Sequence, residues 1–340
     1  MAVALEPLVV QRMREFRELV IARESIEMQA MARRWVEIEN ALMSSIENLA
    51  DRFADEQPTP AQLFQMDRYR ELLSQTQQQV DGYAEWAAGE IAHNQATLAR
   101  WGVAHAQEAI QLTYFQAGAI GVRFDRLPVE AVEIMIGLAG DGAPIGDLLR
   151  DRMVRDAQGN PLPGVWDRLT RTLVEGTALG RNPRDTARRM RDDLAGGLNK
   201  ALTIARTEQL RVYREAGVQS YRESGVVRAM KRLAAHDGRV CPACLAEDGK
   251  IYPLDEAMTD HPQGRCTGVP LVEGLPDTTW LAGEAWLRQQ DEGIQRSILR
   301  GGYWQAWRDG EFAFADLATT TRHPVWGGGL QVTPLGSLVS

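Results

Sequence analysis

The residues best suited to chemistry lie between Asp237 and Cys266, where all three cysteines of the 340-residue chain occur. Cys241 and Cys244 form a C-x2-C pair, sixteen residues separate Cys244 from His261, and four separate His261 from Cys266. Three thiolates and one imidazole make a complete tetrahedral ligand set for zinc. An odd number of cysteines argues against a closed disulfide framework. The spacing therefore predicts a structural zinc site, with three reduced, packed cysteines as the alternative.

A catalytic metal site would need a different arrangement. Catalytic zinc keeps one coordination position open and has a general base nearby. Asp237, Asp248 and Asp260 lie close in sequence, so a metal-dependent hydrolase or nuclease is one alternative. Because four ligands are available, the pattern favours a closed site with no catalytic residue.

Long amphipathic helices must position this segment. Apolar residues recur at spacings of three, four or seven over residues 8–55 and again over about 60–100. This periodicity predicts two long helices joined near residues 57–60, and such a pair forms a helical hairpin. A connector with one short helix is expected over 136–164.

Further helices and two short strands are predicted around the cysteines. One helix is expected after Leu162 and another after Asn182, and glycines at 196–197 and 217 are expected to interrupt the helical pattern that follows. Val226–Leu233 and Gly249–Pro253 are typical of short strands. We therefore predict a mainly α-helical protein with an N-terminal long helical hairpin (1–135), a small α+β zinc-knuckle domain (165–275), and a helical C-terminal arm with an extended tail (276–340).

Composition and charge exclude some classes of protein. No run of about 18 apolar residues occurs, so no membrane span or membrane partner is expected. The N-terminal residues lack the layout of a signal peptide, which predicts a cytoplasmic protein or a particle assembled in the cytoplasm. The formal net charge of −8 argues against a generic nucleic-acid binder.

A basic segment nevertheless lies on this acidic chain. Residues 181–232 contain 13 Arg or Lys and 6 Asp or Glu, a net charge of +7. Such a segment could contact DNA phosphates, and a DNA-binding module is a further alternative function. Salt bridges along the helix surfaces are the competing interpretation. The candidate nucleic-acid contacts are Arg188, Arg189, Arg191, Lys200 and Arg211.

Several motifs in a fixed order resemble a known family. They are Ile204–Glu208 (IARTE) on a helix, Asp237 before the C-x2-C pair, Asp248-Gly249-Lys250 after it, and the His-Pro-x-x-Arg-Cys segment that contains Arg265. Together they resemble the phage head morphogenesis (minor capsid) family related to the F protein of phage Mu. The resemblance covers about residues 165–275. Relatives often read His-Pro-x-Cys-Arg-Cys, whereas this chain has Gly264 at the first of those cysteines.

The resemblance implies a structural rather than an enzymatic role. Such proteins enter the procapsid in few copies, associate with the portal vertex, and assist head assembly or DNA delivery. The implied partners are the portal protein and the major capsid or scaffolding protein, with packaged DNA as a further contact. The implied location is the virion, and the bacterial host cytoplasm during assembly.

The polar residues of the IARTE motif are expected to brace the knuckle or a partner. These residues are Arg206, Thr207 and Glu208. Arg206 and Glu208 cannot share a helix face, so they should engage different neighbours. We expect one of them to bond near Asp237 or Arg239.

Overall fold

The protein is mainly helical, with a small sheet region beside a Cys/His cluster, as the sequence predicted. The computed structural model describes residues 6–52, 67–121, 132–152, 171–172, 175, 183–323 and 327–339. The predicted helix link lies outside these ranges, and so does the predicted helix after Leu162 except for residues 171–172 and 175, which are helical. Within them, no helix has both the length and the apolarity needed to cross a bilayer.

The described helices and strands follow one another from the N-terminal helices to a mixed C-terminal half. In chain order they are α1 (Leu8–Arg52), α2 (Asp67–Gln116), α3 (Ile145–Arg152), α4 (Pro183–Ser224), β1 (Val227–Leu233), α5 (Pro242–Ala246), β2 (Ile251–Pro253), β3 (Thr267–Val272), α6 (Gly283–Arg288), α7 (Glu292–Ile298), α8 (Tyr303–Asp309), a 3-10 turn (Phe314–Leu317), β4 (Ala318–His323), β5 (Gly327–Val332) and α9 (Leu335–Leu338).

The chain divides into two compact units. The knuckle unit comprises Met1–Arg23, Gln95–Ile136 and Gln209–Ser340, and the hairpin unit comprises Glu24–Asn94 and Gly137–Glu208. Helices α1, α2 and α4 each contribute residues to both units.

In the hairpin unit, buried aromatic side chains join α1 to α2. The rings of Trp35 and Tyr83 pack in a T-shaped arrangement, with ring centroids 4.7 Å apart. The Tyr83 hydroxyl donates to the backbone carbonyl of Met31 at 3.3 Å. All three residues are buried and belong to the apolar stripes from which the hairpin was predicted.

A three-stranded antiparallel sheet organises the knuckle unit, with β1 between β2 and β3. In β1, the backbone N–H of Arg232 donates to the carbonyl of Lys250 at 2.8 Å, and the Arg232 carbonyl accepts from Gly249 at 2.9 Å. On the other side Arg232 is in register with Gly268 of β3. The sheet therefore brings together the segments that precede and follow the cysteines.

Strands β1 and β2 agree with the sequence prediction, but β3 was not predicted. Gly268 and Pro270 lie inside β3, and both residues weaken a strand pattern in sequence. The sheet order places β3 at an edge, where one side of the strand has no ladder to complete and a proline is tolerated.

The C-terminal arm contains the expected short helices and one unexpected hairpin. Gly302 and Gly310 bound α8 with φ values of 93° and 74°, which glycine adopts at little cost. The tail predicted as extended forms β5, which pairs with β4 in an antiparallel hairpin. The N–H of Leu330 donates to the carbonyl of Asp260 at 2.9 Å, so this hairpin is attached beside the knuckle.

One hydrophobic core joins the arm to the cysteine segment. Cys244, Leu245 and Cys266 pack in the same buried cluster as residues of the arm. The buried arm residues in this cluster are Leu287, Ile298, Leu299, Trp307, Phe314, Leu317 and Leu330. The knuckle is therefore part of a larger core.

The predicted helix interruptions at Gly196–Gly197 and Gly217 are wrong, because α4 runs unbroken from Pro183 to Ser224. A helix-interior glycine costs about 1 kcal/mol relative to alanine, whereas a restarted helix needs a new, unfavourable nucleus. Gly217 faces Gly102 of α2, and a Cβ at Gly217 would make an ordinary contact, 3.6 Å from the carbonyl oxygen of Gly102.

His105 of the knuckle unit is expected to make the stability of the protein depend on pH. His105 stacks on Phe16 with ring centroids 3.7 Å apart, and its Nδ1 lies 3.0 Å from the Tyr213 hydroxyl. Burial lowers the pKa of His105 to about 4, against the opposing charge of Glu108 and with the help of Arg12. The unfolded chain therefore binds the proton more readily, since an unperturbed histidine titrates near pH 6.5.

The stability contributed by neutral His105 should be present above about pH 6.5 and lost as the pH falls towards 4. We expect the His105→Gln variant, which cannot be protonated, to show a shallower fall in Tm between pH 7 and 4.5 than the wild-type chain. Identical slopes for the two proteins would contradict this assignment.

Candidate metal centre

A short helix places the first two sulfurs on the same side. Cys241 is the N-cap of α5, with extended backbone angles (φ −70°, ψ 133°), and Pro242 occupies the start of the helix. Proline suits this position because its φ is already helical and its missing N–H would be unpaired there. Cys244 follows one turn later within α5.

A second turn brings the other two predicted ligands, His261 and Cys266, close to the first two. The N–H of Gly264 donates to the carbonyl of His261 at 2.9 Å, which closes the turn ahead of Cys266 and β3. The ligand atoms of Cys241, Cys244 and His261 all lie within 4.8 Å of one another. Those of Cys244, Cys266 and Asp260 form a second such group. The four predicted ligands are thus brought together through Cys244, which belongs to both groups, and the cluster could bind a metal.

The orientation of His261 suits metal binding. Its Nδ1 lies 2.8 Å from the carbonyl oxygen of Pro262, and a carbonyl only accepts, so Nδ1 carries a proton. Metal-binding histidines commonly donate their second ring N–H in this way. Nε2 is then the nitrogen available to a metal.

The three thiols shift one another's ionisation. The neighbouring Cys244 thiol lowers the pKa of Cys241 to about 4, with help from His261 and against burial. Bonds to Cys241 and Cys266, together with burial, raise the pKa of Cys244. The bond to Cys244 lowers the pKa of Cys266, against burial and with the charge of Arg232. The site therefore favours thiolate character at its two ends.

The imidazole of His261 responds to the same charges. Burial disfavours its charged form, but its hydrogen bond to Cys241 and the charge of Asp260 outweigh burial and raise its pKa to about 9. A buried group of thiolates with one imidazole is the donor chemistry that soft or borderline cations such as zinc prefer. The residues present therefore fit a metal ion.

Arg232 is a contact that the sequence did not predict. Its side chain is fully buried, and its Nη2 donates to the sulfurs of Cys244 and Cys266, each at 3.2 Å. Nη1 donates to the carbonyl of Thr259. Burial opposes the charge of Arg232, but Cys266, Cys244 and Asp260 together raise its pKa. No pattern in the strand sequence distinguishes Arg232 from an ordinary surface arginine.

Asp248 connects the knuckle to the arm. Its fully buried carboxylate accepts from the backbone N–H of Ala234 at 2.9 Å and of Gly283 at 3.0 Å, and it lies 2.5 Å from Nε2 of His236. Arg14 Nη2 lies 2.9 Å from His236 Nδ1. A guanidinium only donates, so Nδ1 accepts and Nε2 donates to Asp248.

Removing this carboxylate should destabilise the knuckle unit. Asp248→Ala would leave three buried donors without their acceptor, and breaking such a buried polar pair typically costs about 3–5 kcal/mol. The measurement is urea unfolding of the variant and the wild-type chain. Asp255→Ala, at an exposed aspartate of the same segment, is the matched control and should change stability by less than about 0.5 kcal/mol. Equal effects at the two positions would contradict the bracing role of Asp248.

The other motif residues have separate partners. Asp237 accepts from Arg265 at 2.5 and 3.0 Å, so the residues before and after the cysteines are linked. In the hairpin unit, Arg206 donates to the buried Glu24, and Thr207 donates to the carbonyl of Thr203 at 2.7 Å. Glu208 is buried. The predicted bond between the IARTE motif and the knuckle stays a prediction.

The candidate nucleic-acid contacts differ in exposure along α4. Arg188 and Arg189 are exposed, and Arg188 pairs with Asp185 at 3.0 Å. Lys200 and Arg211 are half-buried. The side chain of Arg191 is outside the described part of the chain. Two exposed arginines therefore remain as DNA contacts to be tested.

Comparison with known proteins supports the family that the motifs predicted. Residues 167–268 match the family model described as Phage Mu protein F like protein, which supports a phage head morphogenesis family. The matched segment contains all four predicted metal ligands. Proteins of this kind are generally structural rather than enzymatic. No curated protein and no solved structure matches the chain.

Proposed function

We propose that this chain is a minor head protein of a tailed phage or prophage, which acts by contact with the portal protein and with the major capsid or scaffolding protein. The observation that carries the proposal is the family match over residues 167–268. Head morphogenesis families suggest a place in the virion, and assembly would take place in the host cytoplasm. No catalytic residue is proposed.

We propose zinc as the metal of the knuckle, with Cys241, Cys244, His261 and Cys266 as ligands. Three sulfurs and one nitrogen match the donor sets of closed structural zinc sites. When bound, the metal would cross-link the α5 turn to the turn that precedes β3. Because the cysteines belong to the core shared with the arm, this link would stabilise the part of the protein that carries the family match.

Purified particles provide the test of the head assignment. We expect quantitative mass spectrometry of phage or prophage heads to find the chain in a few copies each, and cryo-electron microscopy to place it at the portal vertex. A variant with Cys241→Ser should be lost from heads if the knuckle shapes the assembled form. Heads that contain no copy of the wild-type chain would contradict the proposal.

A DNA contact by α4 is a separate part of the proposal, and it rests on the exposure of Arg188 and Arg189. Replacing both with glutamine should weaken duplex binding and flatten its dependence on salt, because fewer phosphate counterions are released. Arg34→Gln, at an exposed arginine of α1, is the control.

The nuclease alternative is tested by incubating the same DNA with the protein, with and without a chelator. Cleavage of the DNA that the chelator abolishes would support a metal-dependent nuclease.

A further inference from the structure

Two groups of potential metal ligands share a single sulfur. One group is Cys241, Cys244 and His261, and the other is Cys244, Asp260 and Cys266. A thiolate can bridge two thiophilic cations, so Cys244 and Cys266, both ligands of the proposed zinc site, could also hold a second ion together with Asp260. Asp260 was noted in the sequence only as a neighbouring acid, and its carboxylate now lies beside two sulfurs.

The backbone at Gly264 keeps room for this carboxylate. A Cβ built on Gly264 would lie less than 3.0 Å from three atoms of the Asp260 carboxyl group. Real Cβ atoms are essentially never so close to another heavy atom. A side chain at position 264 and the present position of Asp260 therefore exclude each other. Asp260 occupies the space that a cysteine at Gly264 would need.

Two arginines flank the carboxylate. Arg214 lies 2.9 Å from Oδ2 of Asp260 and also donates to the carbonyl of Gly264 at 2.8 Å. Arg232 lies 3.6 Å from Oδ1 and donates to both sulfurs of the second group. Only 8% of the Asp260 side chain is exposed. The position where a second cation would meet its ligands is thus next to a buried guanidinium.

Charge accounts for the role of this guanidinium. A divalent ion with three thiolates and a neutral imidazole carries one net negative charge, and Arg232 carries one positive charge. Asp260 and Arg214 form a second neutral pair. A further divalent cation beside Arg232 would add two positive charges to a buried site that is already neutral, where charge repulsion is strong.

We propose that Cys244, Asp260 and Cys266 form a latent second site for a thiophilic divalent cation, which Arg232 closes. The proposal rests on the metal centre of the preceding section. The intact chain then takes one metal ion, and loss of the Arg232 charge opens the second position. Asp260 would supply the oxygen ligand of that position. Gly264, which has no side chain, leaves space for the Asp260 carboxylate.

The test is the number of cadmium ions bound per chain at saturation, measured by native mass spectrometry on the full-length protein. We expect one ion for the wild-type chain and two for Arg232→Gln, which removes the charge but retains an N–H donor. Arg232→Lys keeps the charge and should bind one. The double variant Arg232→Gln/Asp260→Asn should return to one.

The outcomes separate this proposal from the metal centre itself. If the wild-type chain binds no ion, the metal centre is wrong and the latent site falls with it. If wild type and Arg232→Gln both bind one ion, the centre stands and the latent site is overturned. Cadmium NMR of the wild-type chain provides a measurement independent of variant folding, since two protein-bound resonances would show that Arg232 does not close the second position.

Discussion

Replacing Cys241 with serine is expected to abolish metal binding and to destabilise the knuckle unit by several kcal/mol. Structural zinc contributes on the order of 10 kcal/mol to the folding of small metal-binding modules, and a whole domain is stable by only about 5–15 kcal/mol. Cys241 is the informative cysteine because it is half-buried. A hydroxyl at the buried Cys244 or Cys266 would destabilise the core even without a metal.

The effect of a chelator distinguishes metal loss from a packing defect. A strong chelator should lower the Tm of the wild-type chain, and the metal-free protein should resemble Cys241→Ser. The same chelator should leave the Tm of the variant unchanged. A variant that is as stable as the wild-type chain, with both insensitive to chelator, would mean that the cysteines are simply reduced and packed.

Replacing Gly102 with alanine is expected to cost about 3 kcal/mol or more. Gly102 is buried where α2 crosses α4, and its added Cβ would lie less than 3.0 Å from the carbonyl oxygen of Tyr213. Ala216 is a second close neighbour on the same helix. Overpacking usually costs about 1–3 kcal/mol. This case lies at the upper end, because the obstacle is helix backbone, which cannot rotate away as a side chain can.

A second glycine of α2 provides a control with the opposite expected sign. Gly89 is exposed, and a Cβ there would meet nothing within 4 Å. Gly89→Ala should therefore stabilise the helix by up to about 1 kcal/mol. Urea unfolding of both variants measures the difference. Equal and small effects would mean that the two helices do not cross closely at Gly102.

The long helices were predictable because their signal is repeated many times. In α1 and α2 the apolar residues recur over more than ten turns, so the helical pattern remains clear despite individual exceptions. Gly217 shows what this reasoning misses. Alone, a glycine indicates a break, but α4 continues through Gly217. The requirement for glycine lies at Gly102 of α2, whose close neighbour, the carbonyl oxygen of Tyr213, is distant in sequence.

The Cys/His cluster was predictable from the sequence, but its charge balance was not. Cysteine is rare in this chain, and the spacing of Cys241, Cys244 and Cys266 limits the chemistry available. Arg232 precedes the first of these cysteines and reaches the sulfurs only because β1 lies between β2 and β3. Asp260 likewise depends on the turn at Gly264. Strand pairing positions Arg232 and a turn positions Asp260, and no local pattern encodes either contact with the sulfurs.

X-ray absorption at the zinc edge of the purified full-length chain tests the proposed knuckle most directly. We predict about one zinc ion per chain, with three sulfur neighbours at about 2.3 Å and one nitrogen neighbour at about 2.0 Å. This shell would identify the metal and the number of thiolate ligands together. A chain that carries no zinc, or a zinc ion surrounded only by oxygen and nitrogen, would contradict the account.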